Sequence, residues 1–376
     1  MSKVILFIVN DPGFFISHRL AVAKGAQIEG YKVHIACMPG PSVATFAEEQ
    51  FEFHPLPLSR SGRNPLSELG LMIAIWRLLW RLRPFILHLV TIKPVLYGGV
   101  AARFAPVRGV VSAISGLGFV FLSKGFKASV IRRVVSGFYR VALGKRNLRS
   151  IFQNPDDRDL LLSIGGLSED KVVMIRGSGV DLSSYAALPE PEGEVVVCMA
   201  ARLLRDKGVL EFVEAVKILT ERGVKARYQL IGDVDPGNPA TVTTAELDKW
   251  RKEGLLELLG YRTDIAHLFA AAHIVTLPSY REGLPKVLVE AAACGRAVVT
   301  TDVPGCRDAI DQNVTGFLVP VRDACALADQ LQVLIENPEL RQKMGAAGRE
   351  LAMRAFAIEK IVEQHMDVYK ELERSA

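Results

Sequence analysis

Short apolar runs alternate with stretches of helical spacing along the whole chain. Runs apolar on both faces and bounded by Gly, Pro, Asn or Asp suit strands buried in a parallel sheet. Strands are predicted over 4–9, 32–36, 86–90, 107–113, 149–153 and 172–175. Helices fall between them: from about Ser17 to Glu29, from Pro65 to about Arg83, from about Pro94, from about Phe126 to Leu143, and from Pro155. Leu188-Pro189-Glu190-Pro191-Glu192-Gly193 then reads as a polar, Pro-rich linker. A second alternating set follows it. Its strands include 195–200, 228–231, 274–277 and 297–301, and its helices start near Gly208, Thr241, Asp264, Pro285, Ala324 and Pro338. The expected architecture is α/β, with two Rossmann-like parallel-sheet domains in series. The first covers 1–187 and recovers a returning helix within 358–376; the second covers 188–357. Ligands of open α/β sheets bind beyond the carboxyl ends of the strands. Two such domains facing each other put a cleft where those loops converge.

Composition narrows the class. Length suits two domains, and 49% hydrophobic with 23% charged residues fits a soluble globular chain. The five cysteines are scattered without a C-x-x-C pair, as in reduced thiols of a cytosolic protein. The apolar run 4–9 meets Asn10-Asp11-Pro12-Gly13 at once and is no signal peptide. The run 69–76 is too short for a bilayer, which takes about 20 residues.

Charge adds a second clue. Residues 1–180 carry a net +12 and residues 181–376 a net −7, and no acid occurs between Glu68 and Asp156 while 14 Lys and Arg do. A basic first half suggests an anionic partner: a membrane surface, a pyrophosphate lipid or nucleic acid. In one predicted helix Ile73, Trp76, Leu79, Trp80 and Leu82 interleave with Arg77, Arg81 and Arg83. In another, Phe126, Val130, Val134, Phe138 and Val141 interleave with Lys127, Arg132, Arg133 and Arg140. Such helices suit an anionic lipid interface, or else an apolar core with a solvated basic face. Aromatic RNP-like and zinc patterns are missing, so no nucleic-acid partner is expected.

The candidate chemistry centres on Glu282 and Glu290, eight residues apart around Gly283-Leu284-Pro285. Glu282 falls in the loop before a helix and Glu290 about two turns in, with free backbone N–H groups between them. Backbone donors suit phosphate or sugar oxygens and carboxylates suit sugar hydroxyls; two solvated glutamates are the plainer alternative. Arg202 and Lys207 straddle a strand-to-helix loop, the place for a diphosphate or for solvated cations. Gly260-Tyr261-Arg262-Thr263-Asp264 offers a helix cap or backbone for a nucleobase edge. Asp233-Val234-Asp235 has metal-friendly spacing but sits in a turn-rich stretch, so no metal and no cofactor are expected. The chain lacks G-x-G-x-x-G, the Walker loop and G-x-S-x-G. That disfavours oxidoreductase, nucleotidase and hydrolase readings.

Together these segments resemble glycosyltransferase family 4, retaining enzymes of the GT-B fold, and within it bacterial enzymes of capsule, O-antigen and lipid-linked oligosaccharide synthesis. The carrying residues include Phe14-Phe15-Ile16-Ser17-His18-Arg19, Gly116-Leu117-Gly118-Phe119, Gly177-Ser178-Gly179-Val180-Asp181, and Pro278-Ser279-Tyr280-Arg281-Glu282-Gly283-Leu284-Pro285. The resemblance implies that Arg202 and Lys207 meet the donor diphosphate, that Glu282 lies near the donor sugar hydroxyls and that Glu290 meets the ribose. Gly283, Leu284 and Pro285 would hold sugar and phosphate, Arg262 and Asp264 would flank the nucleobase, and Gly13 would lie near the diphosphate. Ser115 stands where many members carry a histidine in the donor-sugar pocket; Ser115, Gly116 and His18 are placed at the acceptor and sugar pocket. His18 belongs to a different loop and does not take that histidine's role. The implied partners are a nucleotide-sugar, UDP favoured, a polyprenyl-pyrophosphate-linked acceptor and the inner face of the cytoplasmic membrane. A nucleotide-sugar epimerase or a non-catalytic assembly subunit would share the architecture.

Overall fold

The structure, a computed structural model, describes residues 3–58, 65–116 and 126–375. Its chain divides into two units: Met1–Ser178 with Glu359–Ala376, and Gly179–Ile358.

Unit 1 is a seven-stranded, all-parallel sheet built from β1 (Lys3–Ile8), β2 (Tyr31–Cys37), β3 (Glu52–Pro55), β4 (Ile86–Val90), β5 (Gly109–Ile114), β6 (Leu148–Phe152) and β7 (Val172–Met174). Their order is β3-β2-β1-β4-β5-β6-β7. Crossover helices α1 (Pro12–Ile28), α2 (Ala44–Glu48), α3 (Pro65–Leu82), α4 (Ile92–Arg103), α5 (Phe126–Leu143) and α6 (Pro155–Ile164) cover its faces. β4 and β5 are buried along their whole length, and β1 from Ile5 on, because helices pack on both faces, so their residues are apolar but for His88 and Ser112. β3 was not anticipated: it is a short, half-exposed edge strand without an apolar run.

α1 begins five residues earlier than the apolar spacing suggested. Asp11 caps it by accepting from the Phe14 N–H at 2.9 Å, and Pro12 fills the first position, where a missing N–H costs nothing. Gly13 and His18 therefore lie on a helix, and the expectation that His18 sits in a loop is corrected.

Unit 2 repeats the plan with β8 (Val196–Ala200), β9 (Arg227–Ile231), β10 (Glu257–Gly260), β11 (Ile274–Leu277), β12 (Ala297–Thr301) and β13 (Gly316–Val319), again all parallel, in the order β10-β9-β8-β11-β12-β13. Its helices are α7 (Val209–Glu221), α8 (Thr244–Glu253), α9 (Ile265–Ala270), α10 (Lys286–Ala293), α11 (Ala324–Glu336) and α12 (Pro338–Leu351). α8 starts past Thr241 because Thr243 and Glu246 form a reciprocal capping box.

The Pro-rich stretch 188–193 is fastened to unit 2. Glu190 holds the buried Arg341 through two bonds of 2.9 Å. His273 accepts the Val196 N–H at Nδ1, so its Nε2–H donates to the Pro191 carbonyl at 3.0 Å. The division between units accordingly falls upstream of this stretch, between Ser178 and Gly179.

α13 (Ile358–Arg374) returns to unit 1, where Ile361, Met366, Tyr369 and Leu372 join a core with Ile5, Phe7 and Phe15. Gly25 lets the two helices close, since a Cβ there would lie 2.5 Å from Val362 Cγ1.

Candidate functional site

Strand order reverses between β1 and β4 in unit 1 and between β8 and β11 in unit 2. A crevice forms at the carboxyl edge of a sheet where neighbouring loops leave in opposite directions. In unit 2 the loops flanking that point carry Lys207, after β8, and Ser279 and Glu282, after β11.

Lys207 Nζ lies 2.5 Å from Glu282 Oε1, and Ser279 donates to the same oxygen at 2.8 Å. Both charged groups are largely buried, with 20% and 13% of their side chains exposed. Two glycines bring the loops this close. Gly208 is left-handed at φ 76°, and a Cβ there would lie 2.0 Å from the Pro278 carbonyl oxygen. Gly305, at φ 83°, is pressed against the backbone of Glu282 and Gly283, whose nearest atom would be 2.5 Å from a Cβ. The Glu282 N–H donates to the Pro304 carbonyl at 3.0 Å, which fixes the loop.

α10 begins directly after Gly283-Leu284-Pro285, with Pro285 at the cap position and no side-chain cap. Pro285 has no side-chain oxygen to cap the helix, and of the first N–H groups those of Leu288 and Val289 turn to its carbonyl; such a start suits anionic oxygens. Glu290 is the fifth residue of α10, just over one turn in rather than two. It is 6% exposed, accepts the Tyr185 hydroxyl at 2.6 Å and lies 3.2 Å from Lys286 Nζ. Burial, then the Glu290 charge, pushes the Tyr185 phenol up, so it stays the donor.

Other expected site residues are bonded to partners of their own. Arg202 is half-exposed and bonded to Asp235 at 2.8 Å. Asp235 itself sits in a turn closed by Asn238 N–H to its carbonyl. Arg262 grips Asp264 at 2.8 and 2.5 Å, and that contact draws the Asp264 carboxyl down to about 2. Asp264 occupies the cap position of α9 without a side-chain cap bond, its oxygens being turned to Arg262.

In unit 1, Gly13 is in the first turn of α1, and His18 stacks on Phe14 at 4.0 Å between ring centroids. Ser115 and Gly116 follow β5, with Gly116 at φ 114°. The continuation Leu117-Gly118-Phe119 lies outside the described residues. At the far edge of the sheet His34, Glu52 and His54 bring ligand-type atoms within 4.8 Å of one another. They are already engaged: Arg81 donates to His54 Nδ1 at 3.1 Å, so the Nε2–H of His54 donates to His34 Nδ1 at 2.8 Å, and Lys32 pairs with Glu52.

Sequence reasoning assigned no role to Ser279, Tyr185 or Gly305. Ser279 had a signal, as a polar residue ending a buried strand; Tyr185, 105 residues from Glu290, had none.

Residues 184–351 match the family model described as glycosyl transferases group 1, and residues 4–151 match that described as glycosyl transferase 4-like. The chain is 30% identical over 75% of its length to the N,N'-diacetylbacillosaminyl-diphospho-undecaprenol alpha-1,3-N-acetylgalactosaminyltransferase of Campylobacter jejuni, 76% of which is covered. It is 24% identical to the UDP-Gal:alpha-D-GlcNAc-diphosphoundecaprenol alpha-1,3-galactosyltransferase of Escherichia coli, covering 91% of this chain and 89% of that one. Among solved structures, Anabaena HepE in complex with UDP and glucose superposes with a TM-score of 0.78 at 18% identity, over 98% of this chain and 100% of that one.

Proposed function

We propose a function from one premise: the chain belongs to the group 1 glycosyl transferases, with a 4-like first half and the GT-B fold. It moves a sugar from a nucleotide-sugar, a UDP-sugar first among candidates, to a saccharide carried on a polyprenyl diphosphate, in surface-polysaccharide assembly. The names of its relatives, which act on diphospho-undecaprenol saccharides, support the acceptor class. The observation that carries the reading is the Lys207–Glu282–Ser279 cluster beside the uncapped start of α10.

The proposed chemistry is transfer with retention. The bond from the sugar's anomeric carbon to the diphosphate breaks while the bond to the acceptor hydroxyl forms on the same face. Negative charge builds on the leaving phosphate, which takes the acceptor proton. In this reading Lys207 and the backbone N–H groups at the start of α10 stabilise that charge, and a preorganised donor of this kind is worth about 2.7–4 kcal/mol of barrier. Arg202 joins by leaving Asp235, an exposed pair of the sort worth about 0–1 kcal/mol. Glu282 and Gly283-Leu284-Pro285 hold the sugar, Glu290 the ribose, and Arg262 and Asp264 flank the base. Gly13, His18, Ser115 and Gly116 serve the sugar and acceptor side. No step requires a metal.

The reading extends to a peripheral seat on the cytoplasmic leaflet. No described helix is long and apolar enough to cross a membrane. Trp76 and Trp80 both donate to the Phe104 carbonyl, at 2.9 and 3.0 Å, while their ring faces stay exposed beside Ile73 and Phe104. With Arg77 and Arg81 on the same helix, this suits an anionic lipid interface.

Turnover of a panel of UDP- and GDP-sugars, with and without a lipid-linked saccharide, tests the function. Acceptor-dependent release of the nucleoside diphosphate that survives chelators is expected. Donor conversion without acceptor would favour an epimerase, and nucleotide-sugar binding without turnover an assembly subunit.

A further inference from the structure

We infer that His34, Glu52 and His54 form a binding site for one divalent ion of the zinc class, on the outer strand pair of the first sheet. The site is independent of the transferase reading and adds no step to the transfer. β3 is the outermost strand and pairs with β2, with His34 beside Glu52 and Ala36 beside His54. Residues two apart on a strand point to one face. One side chain from β2 and two from β3 therefore share a patch, which strand pairing rather than a sequence motif assembles.

The three groups lie together. Their ligand-type atoms are within 4.8 Å of one another, with His34 Nδ1 2.8 Å from His54 Nε2 and 3.5 Å from Glu52 Oε2. Two imidazoles on a tetrahedral zinc, bound at about 2.0–2.1 Å each, hold their nitrogens about 3.4 Å apart. A slight outward turn of the His54 ring, on the edge strand, opens that gap. The patch is walled by the buried His34 and open to solvent at the exposed Glu52. An ion thus enters past Glu52, and water completes its shell. Two nitrogens with one carboxylate select zinc and its neighbours, whereas magnesium and calcium ask for oxygen throughout.

Without an ion, the cluster holds itself and two cations. His34 accepts from His54, so its proton is on Nε2 and its Nδ1 lone pair is already of the ligating kind. His54 needs only to move its proton from Nε2 to Nδ1, which sends Arg81 away from Nδ1. Lys32 must also leave Glu52. Both displaced groups are long, exposed side chains, and an exposed ion pair of the Lys32–Glu52 type adds little stability. Lys32 and Arg81 supply the positive charge that the carboxylate and the imidazole lone pair attract. One divalent ion supplies more of it at shorter range.

The test is calorimetric titration of the full chain, stripped with EDTA, with zinc chloride, and with magnesium and calcium chloride as controls. One zinc per chain at micromolar affinity or tighter is expected, with no uptake of magnesium or calcium. His54→Gln should weaken zinc by about a hundredfold or more, since even an outer-shell partner is worth about 10–100-fold. Lys32→Ala should tighten it, because a competing cation is gone. Histidine side-chain NMR should show His34 ligating through Nδ1 and His54 through Nε2. Cobalt should bind without the sulfur-to-metal absorption of a thiolate site. Chelation should lower Tm and leave turnover unchanged. A wild type that takes up no zinc, a His54→Gln protein that binds it equally, or a thiolate spectrum with cobalt overturns the site. So does a Lys32→Ala protein that binds zinc more weakly.

Discussion

Lys207 and Glu282, assigned to the diphosphate and the sugar of the same donor, are bonded to each other at 2.5 Å. Each therefore orients its partner, and removing one leaves the other misplaced. Lys207→Ala and Glu282→Ala should each lower kcat a hundredfold or more. The double variant should cost little beyond the worse single, because groups acting as a unit are not additive. Saturating-donor kinetics on the three variants measure this; multiplicative losses would show two independent contributions.

Glu290 is buried and fixed by the Tyr185 hydroxyl at 2.6 Å. On the ribose assignment, Glu290→Ala should weaken UDP binding about tenfold and erase discrimination against 2′-deoxy-UDP, since a charged hydrogen bond is worth about 1.5–3 kcal/mol. Tyr185→Phe should weaken it less. Calorimetric titration of both nucleotides reads the difference.

Gly208 and Gly254 are both left-handed, but only the first is crowded. A Cβ at Gly208 meets the Pro278 carbonyl oxygen at 2.0 Å, whereas at Gly254 nothing lies within 4 Å. Gly254→Ala should cost about 1–2 kcal/mol, the backbone term alone. Gly208→Ala should cost clearly more and also displace Lys207, visible as lower Tm together with lost turnover.

Unit 1 should be the acid-sensitive half. Burial holds His34 and His88 below the ordinary imidazole range, His54 near 4 and His365 near 3. An unfolded chain takes up protons at these sites below about 6.5, which the folded one refuses. The stability they confer is complete above that pH and drains away as pH falls toward 4. Unit 2 has His273 lowered in the same sense. Hydrogen exchange at pH 7.5 and 5.0 should show protection lost first in unit 1, and His54→Gln should flatten the dependence.

Trp76 and Trp80 are 41% and 45% exposed, with their N–H groups already satisfied. Flotation with vesicles should show capture by anionic lipid over neutral lipid. Replacing both tryptophans by serine should reduce capture at least several-fold, with soluble-acceptor kinetics unchanged. Equal recovery with neutral vesicles would rule the seat out.

Strands such as β4 and β11 were readable to the residue, because burial on both faces leaves a run broken by only one polar residue each, His88 and Thr276. β3 was not, since a half-exposed edge strand needs no such run. The start of α1 was missed because its cap and proline looked like a turn. At the site, spacing brought out Glu282 and Glu290 but not who restrains them. Tyr185 and Ser279 act through contacts that the fold creates, and neither residue type announces a partner. The pairing of Arg202 with Asp235 was hidden for the same reason.

The return of α13 reverses the order in which the two halves are finished. Synthesis runs from the N-terminus, and domains generally fold as they emerge. Yet the core around Phe7 and Phe15 lacks Ile361, Met366 and Tyr369 until after every residue of unit 2 has been made. The half begun first is completed last. While unit 2 is translated, the groove meant for α13 stands open as apolar surface, so a nascent chain stalled before residue 359 should be the species that chaperones hold.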